Sequence, residues 1–411
     1  METWSGFYKR PLEERRRLVA EHAGLDEEEA GLLFAGSALP VGLAERFVEN
    51  VVGVFPLPLG IALHFVVDGS PVLVPMAVEE SSVVAAASHA AKWARATGGF
   101  RTEVMDPVTI GQVEVRDLAD PRAAAEVVRR EAAAWRVVLD ASIPAMVERG
   151  GGVRDVVPRI VGDRLVVHLH LDTRDAMGAN VTNRLCEALA PLVVGAVGGR
   201  PGLRILSNLA TERLATARCT VPAEAVGGPR VVRAMVEAND LARIDPYRAA
   251  THNKGILNGV DPVVVATGND WRAVAAGAHA YAALDGAYRG LTEYVATPEG
   301  DLEASVTLPL SLGTVGGVTS LHPVARVALK VLGDPDARRL AAVVASVGLA
   351  QNLAAVRALS GEGIQRGHMA LHARNLALQA GLAGEAAEAA ARRMVEEGRV
   401  NATRARELAS D

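Results

Sequence analysis

Apolar residues recur at helical spacing along some stretches of this chain and alternate with polar residues along others, so the two periods divide it into elements. Residues 11–24 predict a helix with proline near its first turn and glycine at its end, and 26–36 a second helix. Residues 51–75 alternate between glycine and proline breaks, the pattern of strands and hairpins. A helix follows over 81–98, with Ser81 or Ser82 as N-cap and Gly98 beyond its end. Next come a strand over 112–117, a long helical stretch over 121–147 and a turn at Gly150, Gly151 and Gly152. Strands over 154–160 and 164–172, a helix over 180–197 and a strand over 204–208 complete this region. A strand, a helix, two strands, a helix and a strand is the order of a ferredoxin-like α+β module, here inserted into a larger body.

Beyond Asn208 the pattern is mixed α/β, with helices over 230–241, 271–284, 335–340 and 342–359. The longest uncharged run, 304–325, could span a bilayer by length, but Pro309, Pro323, Gly313, Gly316 and Gly317 spoil a lipid-exposed helix. It predicts a buried glycine-rich loop. After Gly361 and Gly363 the pattern is helical to the end.

Composition narrows the class. In 411 residues, 50% apolar but only 4% aromatic, the core must be built of Ala, Val and Leu in two or three domains. A net charge of −5 argues against nucleic acid as a partner. Cys186 and Cys219 cannot make a disulfide framework, and the N-terminus has no signal-peptide core, so a soluble cytoplasmic protein without a membrane segment is expected. Of 43 basic residues only Lys9, Lys92, Lys254 and Lys330 are lysines.

Several segments could carry chemistry. No Gly-x-Gly-x-x-Gly follows a predicted strand; Gly361, Gly363 and Gly367 have the wrong spacing. Asp175-Ala176-Met177-Gly178-Ala179-Asn180 joins a strand to a helix, either as an ordinary turn capped by Asn180 or as a cradle for a dinucleotide phosphate. Glu79-Glu80 before the 81–98 helix is a first-turn charge or a buried acid. Asp270, in Gly268-Asn269-Asp270-Trp271-Arg272, serves equally as a helix cap. Asp245-Pro246-Tyr247-Arg248 and Thr251-His252-Asn253-Lys254-Gly255 form a surface loop or a pocket wall. In a wall, Arg248 would fork a carboxylate and Lys254 would stabilise an oxyanion. The pairs His168/His170 and His368/His372 lack a third ligand, so structural or proton-handling roles are favoured and no metal is expected. There is no Gly-x-Ser-x-Gly elbow, and neither cysteine sits in a nucleophile motif.

Taken in order, Glu49-Asn50-Val51-Val52-Gly53, the 75–80 stretch, 175–180, 245–259, 268–272 and 362–375 resemble the class II, bacterial 3-hydroxy-3-methylglutaryl-CoA (HMG-CoA) reductases, over nearly the whole chain. The resemblance implies an α+β protein in three parts. A large mixed α/β domain around a central helix (1–106 and 208–361) would bind CoA and substrate and form a homodimer with interfacial active sites. A ferredoxin-like small domain (107–207) would bind the dinucleotide, and a C-terminal helical flap (362–411) would carry the catalytic histidine. It implies interconversion of HMG-CoA and mevalonate with release of CoA, through two hydride transfers. The catalytic set would be Glu80, Lys254, Asp270 and His368. Lys254 would hold the alkoxide, a buried Glu80 would donate the proton, Asp270 would lie between them, and His368 would protonate the CoA thiolate.

The same resemblance assigns Ser82, Asn208, Arg248, Asn258 and Gln351 to the substrate, and Glu49, Asn50 and Gly53 to CoA. Asp175, Met177, Gly178, Ala179, Asn180, Gly316 and Gly317 would hold the cofactor. Relatives that prefer NADH place an acid where this chain has Ile143, and Asp140, one helical turn earlier, is the substitute. NAD(H) is therefore expected, with NADP(H) left open. Two readings from other classes compete: a non-redox acyl-CoA hydrolase or transferase, and an inactive CoA-binding scaffold.

Overall fold

The computed structural model describes residues 4–34, 39–361 and 364–410, with the side chains of 34 and 364–371 outside that description. Helices α1 (Leu12–Ala23) and α2 (Glu27–Phe34) form where periodicity places them. Gly24 closes α1 in the left-handed conformation (φ 59°), and three glutamates fill the first turn of α2, where the helix dipole favours them. After the short α3 (Val41–Ala44) the chain is extended and exposed. Its strand pattern is delayed to Leu59 because Pro56 and Pro58 cannot donate to a ladder. Then β1 (Leu59–Val67) and β2 (Ser70–Ala77) form an antiparallel hairpin turned at Asp68-Gly69, both with positive φ. Helix α4 (Val83–Arg95) packs Ala87, Ala90, Ala91 and Ala94 inward. Ser82 stands at its N-cap with φ 76° and makes no capping bond, unlike the serine cap expected.

Strand β3 (Arg101–Val104) leads into an inserted unit. It comprises β4 (Val108–Arg116), α5 (Pro121–Ala141), α6 (Pro144–Val147), β5 (Gly152–Val161), β6 (Arg164–Asp172), α7 (Ala179–Val197) and β7 (Arg200–Ser207). The strands pair antiparallel in the order β5-β6-β4-β7. Leu165, Val167, Leu169 and Leu171 on β6 share a separate core with Trp135, Leu139, Leu185 and Leu189 from the two long helices. The helical stretch expected over 121–147 is two helices, because Pro144 lacks an N–H to continue the first and forces its predecessor out of the helical region.

The large body resumes with β8 (Leu214–Val221), α8 (Ala223–Val226), α9 (Pro229–Ile244), α10 (Pro246–Ala266), α11 (Trp271–Tyr281), β9 (Thr292–Ala296), β10 (Leu302–Pro309), α12 (Gly317–Leu321), α13 (Pro323–Val331) and α14 (Ala337–Ser360). Its sheet, β3-β8-β10-β9, is antiparallel throughout. Three expectations change here. The run 304–325 is a strand end, a short loop and two helices rather than one loop. The helices expected over 335–340 and 342–359 are a single one, α14, capped by Asp336. A helix buried on all faces has no amphipathic phase to read, and its apolar window, long enough to cross a membrane, is 83% buried inside the protein. Residues 245–255 are helical: Asp245 caps α10 by accepting from Tyr247 N and Arg248 N, with Pro246 at the first position. The glycines in α10 serve packing rather than breaking, since a Cβ on Gly259 would lie 2.7 Å from Val347 O of α14.

Helices α15 (Ile364–Gln379), α16 (Gly384–Glu396) and α17 (Ala402–Ser410) pack on one another around Ala377, Ala387, Met394 and Ala405.

Candidate active site

The outward face of α10 forms one wall of a cleft of about 1170 Å³. Lys254, Asn258, Asp261 and Val265 stand at i, i+4, i+7 and i+11, so helical geometry aligns them in one stripe, and all four line the cleft. Lys254 Nζ donates to Glu80 Oε2 at 3.3 Å. Both side chains are wet, 63% and 43% exposed, so the pair adds ~0–1 kcal/mol to the fold and the ammonium is free to turn to a ligand. The burial expected of Glu80 is not found in this conformation.

Asp270 also lines the cleft, but not between Glu80 and Lys254. Its Oδ1 accepts from Arg272 N (3.0 Å) and Ala273 N (3.1 Å), capping α11, and pairs with the Arg272 guanidinium at 3.3 Å. The capping and site readings of this residue thus hold together, because only one carboxylate oxygen is used by the cap.

The opposite wall joins two segments. One is the turn from Ala176 through Met177, Gly178 and Ala179 to Asn180, and the other runs from Gly313 through Gly316 and Gly317. The N-cap of α7 is Gly178, not Asn180. Its φ is 94°, and a Cβ there would lie 2.4 Å from Thr173 Cγ2. Gly316 (φ 79°) and Gly317 (φ 56°) face open space, so a ligand can approach their backbone. A bare turn at the N-terminus of a long helix, facing a second glycine turn, suits a diphosphate. The residues therefore fit a dinucleotide.

Asp175 stitches these segments together instead of lining the cleft. Its carbonyl accepts from Thr314 N (2.8 Å), and its Oδ1 from Ala337 N (2.9 Å) at the start of α14. Below lies Arg213, only 4% exposed, which donates to Thr173 Oγ1 and Met177 O (3.3 Å each) and to Leu312 O. Burial without a carboxylate in contact pushes its pKa down to about 10, with Asp172 and Asp175 opposing the shift. Asn269 makes a reciprocal amide pair with Gly313, donating to its carbonyl (3.0 Å) and accepting from its N–H (2.8 Å). The turn that presents Asp270 is thereby tied to the glycine wall. Sequence reasoning missed Arg213 and Asp261. An arginine in an arginine-rich chain carries no local signal, and Asp261 becomes a cleft residue only once α10 is known to be a helix.

Other expected residues lie outside this cleft. Asp140 is engaged elsewhere: its Oδ1 accepts from Val153 N at 2.8 Å, bracing the turn into β5, while Ile143 is buried. Arg248, on the first turn of α10, is half-buried without a carboxylate partner among the described residues, and burial lowers its pKa. Gln351 on α14 has a buried, unpartnered Oε1. Ser82 and Asn208 are likewise absent from the lining. Glu49 and Asn50 lie in a turn and Gly53 on the extended segment after it, which leads to an apolar groove of about 570 Å³ that shares Leu57, Ala77, Val265 and His322 with the cleft. The His368 side chain falls outside the described residues. His168 Nε2 meets Gln112 Nε2 (3.0 Å) and Arg159 Nη1 (2.9 Å), and burial pushes its pKa down to about 4.

Two residues before Lys254, His252 is buried in a fixed tautomer. Thr292 Oγ1 donates to Asn239 Oδ1 (2.7 Å) and so accepts from His252 Nε2, which leaves Nδ1 bare and without a partner. Desolvation, aided by Arg248, lowers the imidazole pKa to about 3. The folded state then binds fewer protons than the unfolded state below about pH 6.5, so stability falls with pH from there towards pH 3. From this group alone a loss of about 2 kcal/mol is expected between pH 6.5 and 5. Urea denaturation at the two pH values checks it, and His252→Gln should flatten the dependence.

Comparison with known proteins agrees with this geometry. Residues 11–373 match the family model for hydroxymethylglutaryl-coenzyme A reductase. A 3-hydroxy-3-methylglutaryl-coenzyme A reductase of Archaeoglobus fulgidus is 46% identical over 407 residues, covering 98% of this chain and 93% of the relative. A 3-hydroxy-3-methylglutaryl-coenzyme A reductase from Streptococcus pneumoniae superposes with a TM-score of 0.86 at 39% identity, over 99% of both chains. A class II enzyme of that organism, solved with NADPH in open conformations, matches with a TM-score of 0.84 at 40% identity, over 87% of this chain and 99% of that one. With one ammonium facing a glycine-lined wall and this likeness along the full chain, the protein belongs to the hydroxymethylglutaryl-coenzyme A reductase family.

Proposed function

We propose that this oxidoreductase interconverts HMG-CoA and mevalonate in the cleft bounded by Lys254 and the 176–180 turn, with Glu80, Lys254, Asp270 and His368 as its catalytic set. The observation that carries the reading is the Lys254–Glu80 pair in one cleft with glycine-rich segments suited to a dinucleotide. A bound reduced nicotinamide dinucleotide would supply one hydride, and two such molecules, exchanged between the steps, would be consumed per HMG-CoA reduced.

The chain's own groups do the rest. Reduction of a thioester places negative charge on its carbonyl oxygen, and the Lys254 ammonium stabilises that charge; an oxyanion donor of this kind is worth ~3–4 kcal/mol. Glu80, 3.3 Å from Lys254, gives the oxygen its proton in the aldehyde step. Closure over the cleft would shield this exposed carboxyl from water during the transfer. Asp270, fixed by its cap, keeps a negative charge near Lys254. His368, whose segment follows α14, protonates the departing CoA thiolate. Arg248, with no carboxylate partner among the described residues, pairs with the free carboxylate of the substrate, alongside Gln351. Because Arg248 and Gln351 do not line the cleft, a second copy of the chain completes the site. The bare apolar side chains of Val52 and Phe55, beside the CoA-side residues Glu49, Asn50 and Gly53, support such a homodimer. Two buried free thiols suit a cytoplasmic location.

The test is spectrophotometric. Mevalonate, CoA and oxidised dinucleotide should together raise the absorbance of reduced nicotinamide, and thioester cleavage without that signal would favour a hydrolase. With Asp140 Oδ1 committed to Val153 N and Ile143 buried, rejection of a 2′-phosphate is weakened. NADH and NADPH should therefore give kcat/KM values within about tenfold of one another. A hundredfold preference for NADH, lost in Asp140→Asn, would show instead that Asp140 reaches the ribose.

A further inference from the structure

Asp261 stands two helical turns beyond Lys254 on the same stripe of α10, in the same cleft wall. Its Oδ1 is sealed from solvent and has no hydrogen-bond partner. The helix cannot satisfy it, because the backbone N–H groups around it are committed to the α10 ladder. A buried acceptor left unpaired is costly and rare in native proteins. Asn258 and Val265 flank it on the stripe, and the 176–181 and 313–319 segments face it across the cleft. Burial also pushes its pKa up to about 6, so the ionised form prevails near neutrality and the protonated form is reached in mild acid.

We propose that Asp261 is a further cofactor-binding residue, hydrogen-bonded to the ring carboxamide of the nicotinamide. This rests on the functional reading above, which places a dinucleotide against the opposite wall. The diphosphate belongs at the α7 N-terminus and would be repelled by a carboxylate. The ring end must lie beside Lys254, since hydride reaches the carbon whose oxygen Lys254 holds, at a separation of roughly 3–3.5 Å. Seven residues of helix put Asp261 roughly 10 Å along the axis from Lys254, an interval that accommodates a planar ring in contact with that carbon. A carboxamide offers an N–H donor and a carbonyl acceptor side by side. It therefore satisfies Asp261 whether the acid is ionised or protonated.

The test is a binding titration, read by reduced-nicotinamide fluorescence in the absence of thioester. NADH is compared with its 3-acetylpyridine analogue, in which a methyl group replaces the amide nitrogen. Asp261→Ala should weaken NADH binding about tenfold, while Asp261→Asn, still able to pair with an amide, stays within about threefold of wild type. Read at pH 8, where Asp261 is ionised and the analogue's remaining carbonyl offers it no donor, the analogue should bind wild type and Asp261→Ala alike. Circular dichroism and an unchanged affinity for the CoA thioester show that each variant is folded. Equal weakening of both nucleotides by Asp261→Ala, or no weakening of either, overturns the assignment and leaves the functional reading intact. Wild type that neither binds NADH nor oxidises it with HMG-CoA overturns both.

Discussion

Lys254→Ala should lower kcat by at least about 10²–10³-fold, the loss seen when a single oxyanion donor is removed, with little change in folding. The reason lies in the exposure of its only described partner. An ammonium 63% open to solvent, 3.3 Å from a carboxylate that is 43% exposed, contributes at most ~1 kcal/mol to stability, so the fold does not depend on it. Catalysis does, because the charge created on the substrate oxygen has no other cation placed on that stripe of α10. Initial rates with saturating HMG-CoA, alongside a chemical denaturation curve, separate the two effects. Near-normal rates would remove Lys254 from the oxyanion role. Lys254→Arg should restore little, since a planar fork delivers its charge differently from a compact ammonium.

The second large effect is expected on the cofactor side, from a single methyl group. A Cβ on Gly313 would lie 2.3 Å from Met177 N and 3.0 Å from Asp175 O, and backbone atoms cannot swing aside as a side chain would. Gly313→Ala must therefore part the two segments that form the dinucleotide wall, breaking the Thr314 N–Asp175 O bond and the amide pair with Asn269. Overpacking of this kind costs ~1–3 kcal/mol or more, which predicts a loss of up to about a hundredfold in dinucleotide affinity. Thioester affinity should stay near wild type, as measured by titration. Equal losses for both ligands would mean that the wall is not specific to the cofactor.

Much of the fold is legible in the residues because local rules suffice for it. Strand β6 falls where alternation places it, α1 is bounded by Pro11 and Gly24, and the order of elements over 108–207 follows from two alternating periods. Some failures are local, at Pro56, Pro58 and Pro144, and the others arise where tertiary packing obscures the local signal. Polar density over 245–255 looks like a loop, yet Asp245 and Pro246 start a helix whose glycines lie against α14. Buried on every side, α14 shows no phase. The site was legible as a set of residue types but not as an arrangement. Glu80 and Lys254 pair directly instead of through Asp270, which stands at a helix end, and Asp175 serves as an anchor. The contribution of Asp261 depends on a helical face that sequence reading did not assign.

The scarcity of lysine has a practical corollary. Isotope-enriched reductive methylation tags amines, and here only four side chains and the N-terminus would carry the label. One of those four, Lys254, sits in the reaction cleft, while Lys330 is held by Glu29 on α2. A methyl NMR spectrum of the tagged protein would thus hold a handful of resonances, one of which reports ligand arrival at the Lys254 amine, proposed above as the oxyanion donor, without any mutation.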